Sequence, residues 1–351
     1  MVWKFGAGAG ALLLLMLSGS IGQQATELEQ NAARGTYRRP DAIPFPEHNP
    51  FSPAKAELGR ALFFDPILSD TRTRSCASCH SPDLAWGDGR ARAANRGHGD
   101  MALRSPTLLN LAWADGPLGW DGKYATLERV AFAPITSSSN MNLPEAAAIE
   151  RLTADPRYAN AFIAAFPDEG PGAPIVTRVR IEQALATFER LIVSGRSPFD
   201  DWVEGADGAI DASAKRGFAL FTGKANCAAC HSGWALTDGS FHDIGSGKAD
   251  DIGRGQLFPN SVALRYAFKT PTLRDVAKRA PYMHDGSVAS LNDVIDLYDR
   301  GGIERPSRSR DIRPLDLTGQ EKADLLAFLR TLSTTDPQHS LAPVAKATPR
   351  P

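Results

Sequence analysis

All four cysteines of the chain lie in two copies of one pattern, Cys-x-x-Cys followed directly by histidine. The six residues are Cys76, Cys79 and His80 in SCASCHSP, and Cys227, Cys230 and His231 in NCAACHSG. In this pattern two thiols bond to the vinyl groups of a haem and the adjacent histidine ligates the iron. A zinc site or a redox-active thiol pair does not require that histidine. The spacing therefore predicts two covalently bound haem c groups, with zinc or disulfides as the alternatives.

The first residues predict export. Lys4 precedes an apolar run over residues 5–17, and small residues follow, which is the order found in secretory signals. The run is too short to span a bilayer comfortably. We expect residues 1–23 to be a signal peptide and the mature protein to be periplasmic without stable membrane insertion. An uncleaved anchor is the alternative.

The sequence around the two motifs is duplicated as well. AELGRALFFD and AKRGFALFTG, at 56–65 and 214–223, each precede a motif and have the apolar spacing of an amphipathic helix. Downstream, RSPTLLNLA is matched by KTPTLRDVA, and WDGKYATLERV by HDGSVASLNDV. A repeat of two units predicts two similar helical lobes, each burying one haem.

Chain length, turn-forming residues and helix caps indicate the domain limits. A chain of 351 residues with 42% hydrophobic residues can form two domains, and its net charge of −1 gives no reason to expect nucleic acid as a partner. Helical periodicity runs over 175–195 with Gly195 as the C-cap, turn formers fill 197–208, and Thr318 and Glu321 form a capping box. The predicted parts are a signal peptide at 1–23, an N-terminal haem domain at 40–202, a C-terminal haem domain at 203–335 and a disordered tail at 336–351.

With these motifs the chain resembles the bacterial di-haem cytochrome c peroxidase and MauG-like family. The resemblance rests on FSPAKAELGRALFFDP, SCASCH, SPTLLN, WDGK, CAACH, FHDIG, FKTPTLRDVAKRAPYMHDGS, LYDRGG and EKADLLAFLRTL. It implies a mainly α fold of two cytochrome c-like helical domains, each with one covalently bound haem.

The resemblance also implies an oxidoreductase, and it leaves three functions open. The default is reduction of hydrogen peroxide at the N-terminal haem, with electrons from a small periplasmic cytochrome c or cupredoxin relayed through the C-terminal haem. The second is MauG-like oxidation of a protein partner by high-valent iron. The third is electron transfer without peroxide turnover. Because one fold hosts several activities, the choice must come from the site residues.

Three residues have implied roles near the first haem. His98 stands where relatives carry a histidine that caps this iron at rest; an uncapped iron and a surface-loop histidine are the alternatives. Trp120 would pass electrons between the haems, with a core tryptophan as the alternative. Asn140 stands where relatives carry a glutamate, and an amide cannot exchange a proton near neutral pH.

The distal pocket of the first haem is therefore expected to be less polar than in relatives. Val130 occupies a position where a glutamine is frequent. Glu128 is a conceivable substitute base, although a solvated helix glutamate is the favoured interpretation because Glu is rarely buried. Loss of acid–base help lowers peroxide turnover by about 10²–10⁴-fold without abolishing it.

The second haem, on His231, needs a sixth ligand from the downstream repeat. Met283 offers a thioether and Tyr298 a phenolate. Periodicity alone favours Tyr298 as a residue of an apolar helix face, whereas the resemblance assigns it as the ligand, with Met283 as the alternative.

Relatives also bind calcium between the haems, through an asparagine and backbone carbonyls. Arg104 stands at the asparagine position, while Arg279 and Pro281 keep the carbonyl positions. A guanidinium repels a calcium ion at short range. We therefore expect calcium to be weakly bound or absent.

Overall fold

In the computed structural model, the residues described are 34–97, 99–114, 116–167, 174–247, 250–335 and the backbone of 347–349. The predicted signal peptide, His98 and most of the predicted tail lie outside these ranges. The helices are α1 Pro53–Phe64, α2 Leu127–Thr136, α3 Glu145–Ala154, α4 Pro156–Ala165, α5 Arg178–Arg190, α6 Pro198–Val203, α7 Ala212–Thr222, α8 Leu291–Asp299 and α9 Gly319–Thr331. The predicted mainly α fold is confirmed.

Strands are few and short in the described residues. They are β1 Ile43–Phe45, β2 Phe241–His242, β3 Phe268–Lys269 and β4 Ala347–Pro349. Strand β1 pairs in parallel with β4, and β2 pairs antiparallel with β3. Strand β4 falls within the segment for which the sequence predicts disorder. None of the helices in the described ranges combines the length and apolar character needed to cross a bilayer.

The two lobes are built on the same pair of crossing helices. In the first lobe α1 crosses α5, and an ideal Cβ added to Gly59 would lie 1.9 Å from the carbonyl oxygen of Ala184. In the second lobe α7 crosses α9, and a Cβ on Gly217 would lie 2.0 Å from the carbonyl oxygen of Asp324. The duplication therefore extends beyond the haem motifs to the last helix of each lobe.

Each helix crossing supports its own apolar core. Large buried side chains of the first core include Leu62, Phe63, Trp86, Phe132, Phe162 and Phe188. Those of the second core include Phe199, Trp202, Phe218, Phe221 and Phe328. Cys76 packs against the first core and Cys227 against the second, so each haem motif is anchored to the core of its own lobe.

The helix end predicted between the lobes is wrong. Helix α5 ends at Arg190 rather than at Gly195, because the following backbone bonds elsewhere: Ser194 N–H donates to Asn110 Oδ1 at 2.9 Å, and the Gly195 carbonyl accepts from Arg39 at 3.1 Å. The turn-rich segment 197–208 contains α6, which Ser197 caps by donating its backbone N–H to Asp200 Oδ2 at 2.9 Å. The capping box of Thr318 and Glu321 is confirmed at α9.

Gly59→Ala and Gly217→Ala should each destabilise the haem-loaded protein by at least about 1–3 kcal/mol, since the new methyl group would overlap a backbone carbonyl. Urea unfolding followed by far-ultraviolet circular dichroism measures the loss. Gly208→Ala is the matched control, because no atom lies within 4 Å of its Cβ position. Equal stability of all three variants would contradict the close-crossing interpretation.

Candidate haem sites

The two Cys-x-x-Cys-His motifs have the same local structure. Each forms a single 3₁₀ turn, Cys76–Ser78 in the first lobe and Cys227–Ala229 in the second. In each turn the amides of the second cysteine and of the histidine both donate to the carbonyl of the first cysteine, at 3.0–3.1 Å in the first lobe and 2.9–3.3 Å in the second. All four thiols are free. Identical turns are what two equivalent attachment sites require.

Backbone carbonyls orient both histidines. His80 Nδ1 lies 3.1 Å from the Trp86 carbonyl oxygen, and His231 Nδ1 lies 2.9 Å from that of Leu236. A carbonyl can only accept, so Nδ1 carries the proton and Nε2 keeps a lone pair for a metal. Burial lowers the pKa of both imidazoles, which favours the neutral form that ligates metals.

Both histidines line one continuous cavity of about 1180 Å³. Typical cavities for a single small ligand occupy about 300–1,000 Å³. Cys79, Cys227 and Cys230 also line its wall. A cavity of this size, with free thiols and available imidazole nitrogens at both ends, fits haem as the bound group.

A cluster of possible metal ligands lies beside the second motif. Cys230 Sγ, a carboxylate oxygen of Asp238 and a ring nitrogen of His242 lie within 4.8 Å of one another. His242 donates to Asp238 at 2.7 Å, and this hydrogen bond, with a contribution from Cys230, raises the pKa of His242 to about 10. The sequence interpretation did not identify this Asp–His pair, because it lies in a non-helical segment where spacing does not predict contact.

Several residues expected near the first haem do meet at the cavity. Trp120, Val130 and Asn140 line it, as His80 does. Trp120 Nε1 donates to the Arg104 carbonyl oxygen at 3.0 Å, which fixes the orientation of the indole. The catalytic roles of Trp120, Asn140 and His98 remain predictions, and His98 lies outside the described residues.

Both sequence interpretations of Glu128 are wrong. Its side chain is buried and does not line the cavity. It accepts hydrogen bonds from Arg190 Nη1 at 2.7 Å and Asn49 Nδ2 at 3.0 Å. Burial acts to raise the pKa of Glu128, but the Arg190 guanidinium outweighs it and holds that pKa below its usual value. Glu128 is therefore a buried ion-pair partner, neither a distal base nor a solvated helix residue.

Both candidate sixth ligands of the second haem face the cavity. Tyr298 lies on α8, and Met283 lies in the turn before that helix with a positive φ of 71°. Burial raises the pKa of the Tyr298 phenol, and Cys227 and Cys230 act in the same direction. The Tyr298 side chain lines the same cavity as Cys227, Cys230 and His231. Leu291 and Val294 also line the cavity, so the apolar face predicted for α8 is its cavity face.

Tyr298→Phe should change the absorption and electron paramagnetic resonance spectra of the second haem, because the variant lacks the oxygen that would ligate the iron. Met283→Leu is the matched control and should leave both spectra unchanged. If Met283→Leu changes the spectra of the second haem and Tyr298→Phe does not, Met283 is the ligand instead.

Comparison with known proteins agrees with this architecture. The sequence profile described as di-haem cytochrome c peroxidase matches residues 53–208, and that of cytochrome c matches residues 214–333. The methylamine utilization protein MauG of Methylorubrum extorquens is 48% identical over 334 residues, covering 94% of this chain and 93% of the relative. The cytochrome-c peroxidase IdrP1 of a Pseudomonas species is 36% identical over 329 residues, covering 84% and 85%.

A solved structure, that of a MauG-like protein associated with microbial copper homeostasis, shares the fold. Its TM-score is 0.78 at 32% identity, with 88% of this chain and 96% of the other covered. The match in sequence and structure agrees with the equivalent haem motifs and the shared cavity. This chain belongs to the di-haem cytochrome c peroxidase and MauG family of haem-binding oxidoreductases.

Proposed function

We propose that the chain is a periplasmic, MauG-like di-haem enzyme that uses hydrogen peroxide to oxidise a protein partner. The residues proposed to attach and ligate two haems are Cys76, Cys79, His80, Cys227, Cys230, His231 and Tyr298. In the proposed reaction one hydrogen peroxide takes up two electrons and two protons and becomes two waters. The partner loses the same two electrons and two protons.

The observation that carries this proposal is that Tyr298, on α8, lines the same cavity as His231 and the second cysteine pair. When bound, the haems would supply the redox chemistry. An anionic phenolate favours oxidised iron, whereas a thioether raises the reduction potential and suits a haem that receives electrons from a donor. A tyrosine ligand therefore supports oxidation of a partner more than it supports electron uptake from a cytochrome.

Similarity supports the same choice. The relative with 48% identity is named a methylamine utilization protein. We extend that role to this chain and infer that its partner is a protein of methylamine utilisation. The signal peptide predicted at residues 1–23 supports a periplasmic location for this chain. Its protein partner would have to lie in the same compartment.

At the first site, the chain's own residues would orient the histidine ring and bind peroxide, but they would not transfer protons. Carbonyl oxygens hold the ring N–H groups of His80 and His231. Asn140 can donate a hydrogen bond to bound peroxide but cannot take its proton. This feature predicts slow reaction with peroxide, which suits a dedicated partner better than bulk peroxide removal.

Calcium stays an unfavoured ligand in this proposal. The guanidinium of Arg104 donates to the Arg279 carbonyl oxygen at 3.1 Å, so it lies at the carbonyl that the resemblance assigns to calcium. Treatment of the haem-loaded protein with EGTA should therefore leave the spectra of both haems unchanged. A loss of spectral intensity that added calcium restores would overturn this expectation.

Rapid mixing of the oxidised protein with hydrogen peroxide tests the function. We expect a change in the haem spectrum that decays slowly, and reduced mitochondrial cytochrome c should not accelerate the decay. Acceleration of about tenfold or more would instead indicate a cytochrome c peroxidase, which the 36% identical relative makes the second candidate. No spectral change would leave only electron transfer.

A variant pair tests the assignment of Asn140 in the same measurement. Asn140→Glu should raise the rate of the peroxide reaction by up to about 10²–10⁴-fold, because a carboxylate can shuttle the proton. Asn140→Gln matches its length without that ability and should not. Equal rates in the two variants would show that position 140 does not control proton transfer.

A further inference from the structure

The cavity wall carries two guanidinium groups that lack an acidic partner among the described residues. Arg104, in the first lobe, is 8% exposed, and Arg279, in the second lobe, is half-buried; both line the cavity. Among the described residues, neither group lies within 4.0 Å of a carboxylate oxygen. The Nε atom of each is buried and has no hydrogen-bond acceptor in the part of the chain that the structure describes. These are cations whose remaining N–H groups have no partner in the described chain.

Hydrogen bonds hold the two groups side by side at the junction of the lobes. Arg104 Nη2 donates to the Arg279 carbonyl oxygen at 3.1 Å, and its backbone N–H donates to the His284 carbonyl oxygen at 3.0 Å. Arg279 Nη2 donates to the Thr272 carbonyl oxygen. One N–H group of each guanidinium is therefore engaged by a neutral carbonyl, which orients the group but does not offset its charge.

The protein itself compensates this charge incompletely. Burial lowers the pKa of Arg104, and it lowers the pKa of Arg279 to about 10. Asp88 offsets part of this lowering for Arg104, and Asp275 does so for Arg279, each from beyond ion-pair distance. Asp88 already accepts from Ser105 Oγ at 3.0 Å. A buried cation without a paired anion is strongly unfavourable, so the cavity must receive anionic oxygens to make this pair of guanidiniums stable.

We propose that Arg104 and Arg279 together form a binding site for the propionate carboxylates of the haems, at the junction of the two lobes. A haem attached through its vinyl groups carries its two carboxylates at the opposite edge of the ring. Guanidinium groups bind carboxylates through forked, charge-assisted hydrogen bonds, and the free Nε–H of each arginine is available for such a fork.

This site would have an electrostatic consequence for both haems. A fixed positive charge near an iron favours the reduced state, which carries one positive charge fewer. The arginine pair would therefore raise the reduction potentials of both haems and join the two lobes through their cofactors. Replacing one guanidinium by a neutral side chain should reverse the shift.

The test compares reduction potentials of haem-loaded variants by spectroelectrochemical titration. Arg104→Gln should lower the potential of both haems, changing the ratio of reduced to oxidised haem about tenfold at a fixed ambient potential, which is about 59 mV for a one-electron couple. The propionate bending bands in the resonance Raman spectrum should shift as well. Arg104→Lys keeps the positive charge, so the reduction potentials of both haems should stay close to those of the wild type. The propionate bands should still shift.

Arg151→Gln is the matched control. Arg151 donates to the carbonyl oxygens of Ile67, Ser69 and Asp70 in the first lobe and does not line the cavity. Its replacement should leave potentials and bands unchanged.

Two outcomes would overturn the proposal. If Arg104→Gln changes neither the potentials nor the Raman bands, the pair does not contact the haem carboxylates. If the wild-type potentials follow chloride or phosphate concentration at constant ionic strength, and Arg104→Gln removes this dependence, the pair binds a free anion instead. If Arg104→Gln does not load haem, Arg104→Lys provides the test. Propionate bending bands that are unchanged in Arg104→Lys would also contradict the proposal. None of these measurements uses peroxide or a protein partner, so their result is independent of the proposed function.

Discussion

The structure depends on one constraint: two histidines must present a free Nε2 to the same cavity. Each ring is held by a hydrogen bond from Nδ1–H to a backbone carbonyl six or five residues further along the chain. That bond can form only if the segment after the motif folds back over the histidine. The return loop, the core behind the cysteine turn and the close helix crossing at Gly59 or Gly217 serve this geometry in each lobe.

Because this framework is duplicated, it cannot make the two haem sites different. The difference comes from the cavity wall, to which the repeats contribute unlike side chains. The first lobe supplies the amide of Asn140, and the second supplies the phenol of Tyr298 on α8. An amide on one part of the wall and a phenol on another would give the two haem sites different proton and electron affinities. Similar scaffolds therefore acquire distinct roles through a few residues on their inner surface.

The sequence predicted the features that depend on local spacing. The haem motifs, the two helical lobes and the capping box at Thr318 are short-range patterns, and the structure has the corresponding turns and helices. Features set by long-range partners were missed. The end of α5 depends on Asn110 and Arg39, and the burial of Glu128 depends on Arg190, 62 residues away in the chain. Periodicity carries no information about such pairs.

Arg104 links the electrostatics of the cavity to Trp120, which lines the same cavity. Its carbonyl accepts the Trp120 N–H, while its guanidinium faces Arg279 across the lobe junction. A neutral carbonyl is too weak a base to take the indole proton, so an electron leaving Trp120 would leave a positive charge on the ring. The two guanidinium groups repel that charge unless anionic oxygens offset them. The electron transfer predicted for Trp120 would therefore depend on the electrostatic balance at Arg104, whose carbonyl also fixes the position of the indole.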